Sequence, residues 1–239
     1  AEQEAQEDAD QTRPEWHVML LRRKIVLLDR LGRSAQADPL WNRLVSLEPA
    51  SPGQPSSLAA TVNLLRRERR WAQVLQLADK YSQAFWADAS LAYAWAQALR
   101  ESGDQEKSAE VAKRALGMNP EEQDEHWSVA RVLESRGQRD WAEGEYQYLI
   151  DLERSKGRVA SGYSLFAMFR QSELLHARGK HLKAAMLLST AENAVKERTE
   201  SQRFLGSDPN WLPTRKHVFM AAHHKQSGDP AAQTKALLS

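Results

Sequence analysis

The sequence contains no cysteine, which excludes disulfides, thiolate nucleophiles and cysteine-based metal centres. It holds no run of about 18 apolar residues, so no membrane-spanning helix is expected. It has no G-x-S-x-G, no H-E-x-x-H, no glycine-rich phosphate loop and no paired-carboxylate motif, so nothing in it announces catalysis, and no enzyme is expected. It also has little net charge, +1 in all. Five acids and no base lie in the first ten residues, AEQEAQEDAD, leaving +6 over residues 11–239. That balance is too weak, without a clustered basic stripe, to indicate nucleic acid. Strand-type alternation never lasts more than a few residues.

What is present is helical pattern. Residues 1–13 form an acidic segment almost free of large apolar groups and read as a disordered tail. Pro14 then suits the first turn of a helix. Amphipathic stretches follow, separated by short breaks. Gly32, Gly103, Gly137, Gly179 and Gly228 each end one such stretch and precede a polar turn, as a left-handed helix terminator does.

These glycines are spaced with a period. Gly103 and Gly137 are 34 residues apart, and 34 residues before Gly103 stands Arg69, in ERRWAQ. The remaining intervals of 37, 42 and 49 exceed this period by amounts that SPGQP (51–55), SKGRVASG (155–162) and SQRFLGSDPNWLP (201–213) account for. Such inserts lie between units, where a helical array tolerates extra chain. Aligned on the six turn markers, the residues seven before them are Ile25, Val62, Ala96, Ala130, Ser172 and Ala221. Those five after are Ala37, Val74, Ser108, Ala142, Ala184 and Gln233. Ala96 with Ser108, Ala130 with Ala142 and Ser172 with Ala184 are small at both places, as two closely approaching antiparallel helices require. Leu28, Leu65, Leu99, Leu133 and Leu175 all lie four before the marker and fill the flanking layer.

The period, the small–small pairing and the turns resemble tetratricopeptide repeats. LEP (47–49) and MNP (118–120) resemble that family's closing proline. The family's early tryptophan is missing: Leu21, Leu58, Ala92 and His126 stand in its place. The resemblance covers roughly residues 15–238. It implies an all-α fold, a right-handed α-solenoid of about six antiparallel hairpins, near 15–50, 56–87, 89–120, 123–155, 161–200 and 213–238. These would stack as one array over residues 14–239, because a single hairpin cannot bury its apolar face alone.

By the same resemblance, the first helix of each hairpin lines a concave face. Its outward positions include Asn63, Arg66 and Arg67, then Tyr93, Gln97 and Arg100, then Trp127 and Arg131, then Phe169 and Glu173. Tyr93, Trp127 and Phe169 share one position in consecutive units and read as an aromatic ladder. Asn63, Gln97 and Arg131 offer hydrogen bonds to a peptide backbone, and Arg66, Arg67 and Arg100 add positive charge. The expected function is a non-catalytic scaffold binding a protein or peptide segment, with acidic groups favoured in it. Arg22 and Val26 replace the lysine and asparagine of repeats that grip a terminal carboxylate, which disfavours a chaperone-tail receptor.

The other candidates are weaker. RRERR (66–70) reads as a solvated helix end rather than a nucleic-acid patch. His217 and His224 share a helix face but sit too far apart to chelate one ion, and His176 and His181 straddle a turn. No metal site or cofactor is expected. Trp41, Trp71, Trp95 and Trp141 fall at core positions, whereas Trp86 and Trp211 fall in connections, where they either contact a partner or cap a unit. The segment AAQTKALLS (231–239) reads as a short second helix with Leu237 and Leu238 near its end and suggests a homodimer through the C-terminal hairpin. An accessory or oligomerisation domain of a larger protein is therefore the alternative function. Beginning at Ala1 rather than Met, the chain reads as a processed or cut product. That leaves two compartments open, the cytoplasm or, after loss of a signal or anchor, the periplasm or beyond.

Overall fold

A computed structural model describes residues 14–47, 55–156, 162–196 and 211–238. The acidic segment, Glu48 and Pro49 of LEP, and most of the three inserts lie outside the described residues. Every regular element among the described residues is an α-helix, and the fold is all-α. The helices are α1 (Pro14–Arg30), α2 (Ser34–Leu47), α3 (Pro55–Arg67), α4 (Trp71–Lys80), the short α5 (Ser82–Phe85), α6 (Ala89–Glu101) and α7 (Gln105–Leu116). They continue with α8 (Gln123–Ser135), α9 (Arg139–Ser155), α10 (Gly162–Ala177), α11 (His181–Lys196), α12 (Trp211–Ser227) and α13 (Pro230–Leu238). Trp211 thus opens α12 rather than lying in a loop, and Pro213 sits in the first turn, where its missing N–H costs nothing.

Six hairpins result, and one backbone motif closes each of them. The six turn markers all have positive φ: Gly32, Arg69, Gly103, Gly137, Gly179 and Gly228, from 56° at Arg69 to 96° at Gly103. At each turn the N–H after the marker donates to the carbonyl four residues before it. The pairs are Arg33–Leu28, Arg70–Leu65, Asp104–Leu99, Gln138–Leu133, Lys180–Leu175 and Asp229–His224, at 2.8–3.0 Å. Each marker N–H also donates to the carbonyl three residues before it. This pair of bonds is the Schellman termination, which satisfies carbonyls that the helix end leaves open. The next helix starts at once: the N–H of Ala37, Val74, Ser108, Ala142, Ala184 and Gln233 each donates to the residue just past the marker. Asp104 and Asp229 add side-chain caps, on the N–H of Lys107 and Ala232.

The chain divides into two compact units, Ala1–Met118 and Asn119–Ser239, each with three hairpins. In the first, α1 packs on α2, α3 on α4 and α6 on α7; α1 also meets α3, and α3 and α4 meet α6. Its core joins Ile25, Trp41, Leu44, Leu65, Val74, Leu77 and Phe85. In the second, each helix from α8 to α13 packs on the next, and α8 also meets α10. Consecutive packing of this kind is that of a helical repeat. The small positions are buried where helices pack closely, and Ser108 Oγ donates across its hairpin to the Ala96 carbonyl at 2.7 Å. Ala130, Ala142, Ser172 and Ala184 are fully buried in the second unit.

Candidate interaction surface

In the first unit the expected surface residues separate into two groups. Arg67 is exposed, and Asn63, Arg66 and Arg100 are half-buried. Tyr93 is 2 % exposed and Gln97 is buried, so the ladder position in this unit belongs to the core and not to a surface. The reason lies in α6, where alanines at 89, 92, 94, 96 and 98 let neighbouring helices close in on nearly every side. Gln97 keeps one contact with the surface row: Arg66 Nη1 donates to its Oε1 at a long 3.4 Å. Arg66 Nε is buried with no hydrogen-bond partner. Burial first, and then the charge of Arg67, hold the Arg66 pKa below the ordinary arginine value. A guanidinium so poorly served has unused capacity for a carboxylate, its best-matched acceptor. Arg22, by contrast, is consumed internally. It ties α1 to α3 through Thr61 Oγ1 at 2.7 Å and through the carbonyl and hydroxyl of Ser57 at 2.7 and 2.8 Å.

In the second unit Trp127 is half-buried on α8. Its ring packs against Tyr146 of α9 and against Phe166 of α10, each with centroids 5.7 Å away. Arg131 lies over it, 5.8 Å from the ring, within cation–π reach. The aromatic neighbour is therefore Phe166, exposed and one turn before Phe169 on the same helix. Sequence alignment on one position per repeat passed over it. The i, i+3 spacing of Phe166 and Phe169 was the available signal.

Beside this patch runs a charge network on the first helices of three hairpins. Glu134 of α8 accepts from Arg170 of α10, from the Tyr146 hydroxyl at 2.8 Å and from Arg131 at 3.5 Å. Arg170 also donates to Glu173 at 2.6 Å, and Arg215 of α12 reaches Glu173 at 3.5 Å. Burial pushes the Glu134 carboxyl up, but hydrogen bonds from Arg170 and Tyr146 and the charges of Arg170 and Arg131 outweigh it and hold its pKa below the ordinary value. Burial, and then Glu134, push the Tyr146 hydroxyl up. Arg131 and Glu173, both expected at the surface, are thus brought into one array of alternating sign.

Three polar features lie elsewhere. His126, where the family motif would have tryptophan, is buried; its Nδ1 is 2.5 Å from Glu145 Oε2 and its ring stacks on Tyr148 at 4.3 Å. The Nδ1 atoms of His176 and His181 lie 2.9 Å apart, within hydrogen-bond distance. Burial, then the charges of His181 and Arg215, lower the His176 pKa. Among the described residues no group of three or more His, Asp or Glu stands close enough to hold a metal ion. Trp86 is a packed cap: it meets Trp95 at 5.2 Å, and the Arg114 guanidinium lies 3.7 Å over its ring. No helix among the described residues is long and apolar enough to cross a membrane.

No family model matches the chain, and no curated protein does. Among solved structures, the crystal structure of BtubC (BKLC) from P. vanneervenii is similar at 15 % identity, covering 95 % of this chain and 89 % of that one, with a TM-score of 0.41.

Proposed function

We propose that this chain is a non-catalytic interaction scaffold of the tetratricopeptide kind, holding a peptide or protein segment on the first helices of its hairpins. The observation that carries this reading is the patch formed by Trp127, Phe166 and Arg131. Two rings from consecutive first helices stand partly open beside a cation, next to a row of fixed charges. That is the make-up of an anchor pocket with a polar rim. In the first unit, taken by itself, Arg66 has one weak acceptor among the described residues, the long bond to Gln97, and offers a place for an acidic group.

The test is affinity capture from the source cells with wild type, Trp127→Ala, Arg131→Ala and Phe166→Ala, read by mass spectrometry. The reading expects specific partners to be lost from the variants while helicity is unchanged. Identical partner lists would sink it. A second reading, assembly through the C-terminal hairpin, is favoured by the exposure of Leu237 and Leu238 on α13. A dimer in light scattering that Leu237→Asp abolishes, with capture unaltered at the aromatic patch, makes assembly the function instead.

A further inference from the structure

Helix α1, with Leu31 just past its end, carries apolar side chains on the side away from its core face. Trp16, Leu20, Leu27 and Leu31 are 54 %, 55 %, 58 % and 59 % exposed. At about 100° per residue they fall within an arc of about 60°, whereas Val18, Ile25 and Leu28 point into the core. Scattered surface leucines need no account, but four large apolar side chains on one helix face are the make-up of an interaction site. The repeat register says what kind. Leu27 stands five residues before its turn marker, and the equivalent residues of the next two hairpins, Leu64 and Ala98, are buried. In those two hairpins this position is covered; among the described residues nothing covers it in the first.

Charge narrows the occupant. Arg23 and Lys24 stand midway along the stripe, flanking it on either side, both exposed and paired with no described residue. The stripe is therefore apolar, then cationic, then apolar. Its spacing is symmetric about the point between Arg23 and Lys24, so a second copy could lie antiparallel with its leucines in register. That arrangement would bring four cations together at the centre of the contact, and like charges there oppose it. A helix of another protein with acids at its middle meets no such opposition.

We propose that the outer face of α1 docks an amphipathic helix of a separate protein, one whose apolar residues flank a central acidic pair. The stripe is about 22 Å long at 1.5 Å per residue, so the docked helix has about four turns. Leucines enter beside Leu20 and Leu27, and its carboxylates meet Arg23 and Lys24. It is made of other residues than the Trp127 patch, and each proposal can fail without the other.

The experiment uses the full chain and fluorescence anisotropy of two labelled helical peptides of about 18 residues. Both carry leucines at the spacing of Trp16, Leu20, Leu27 and Leu31; one has two central glutamates, the other two lysines. The glutamate peptide binds at least about tenfold more tightly. Leu27→Asp, an exposed substitution checked by circular dichroism, removes the binding. The Arg23→Glu/Lys24→Glu double variant reverses the preference, which a mere loss of folding would not do. Equal binding of both peptides, or none, overturns the proposal. So does a dimer of the chain itself that Leu27→Asp dissolves. Sedimentation with anionic lipid vesicles that Leu27→Asp and the double variant both abolish overturns it too, because the face would then meet a membrane surface.

Discussion

The backbone N–H of Arg70 donates to the carbonyl of Leu65 at 2.8 Å, across a turn centred on an arginine with φ of 56°. Five of the six equivalent turns have glycine at that centre, and the hydrogen bond is the same in all six. Backbone geometry is therefore imposed on Arg69 by the hairpin, against the steric preference of an L residue.

Arg69→Gly is expected to stabilise the first unit by about 1 kcal/mol by relieving this strain. Gly103→Ala is expected to cost about as much or more. A Cβ at Gly103 would meet no atom within 4 Å, so the penalty there is purely conformational. Urea denaturation of the two variants reads both signs; a loss of stability in Arg69→Gly contradicts the account.

Ser108 sets the approach of α6 and α7. Ser108→Ala removes its bond to the Ala96 carbonyl and is expected to cost about 1 kcal/mol. Ser108→Leu forces the helices apart and costs more, about 1–3 kcal/mol or above. Thermal unfolding should rank wild type above Ser108→Ala above Ser108→Leu. Leucine tolerated as well as alanine would mean the helices do not meet closely there.

His126 and Glu145 form a buried pair in the second unit. Glu145→Ala leaves the buried imidazole without that partner and is expected to cost about 1–3 kcal/mol. His126→Trp with Glu145→Ala, which replaces the orphaned imidazole by apolar aromatic bulk, should recover part of that loss. Chemical denaturation of the single and double variants checks it, and a double variant no better than Glu145→Ala alone contradicts it.

Glu134 makes the second unit sensitive to acid. Its folded pKa is held below its unfolded value of about 4.3. The stabilisation is therefore fully present above that value and is lost as pH falls through the folded one. Glu134→Gln should flatten this acid limb of the stability curve and cost about 1–3 kcal/mol at neutral pH, since Arg170 and Tyr146 lose a charged acceptor. An unchanged slope below pH of about 4 would refute the assignment.

The helices, their turns and their pairing follow from the sequence because all three rest on local chemistry. A recurrent terminator, a leucine four before it in five of the six units and small residues at fixed offsets specify a hairpin without reference to anything distant. Even Arg69 was placed in phase by its neighbours, and the structure gives it the glycine-like φ. The surface was another matter. One position per repeat put Tyr93 beside Trp127 and Phe169, but how far a side chain is buried depends on how closely neighbouring helices approach. The alanines of α6 let that approach bury Tyr93 and Gln97, while Phe166, one turn off register, took the place beside Trp127. The Arg131–Glu134–Arg170–Glu173 network likewise joins residues 42 positions apart from first to last, a proximity that only tertiary packing creates. The period of the helices is a local property of the chain; which of their side chains face water was decided by contacts between them.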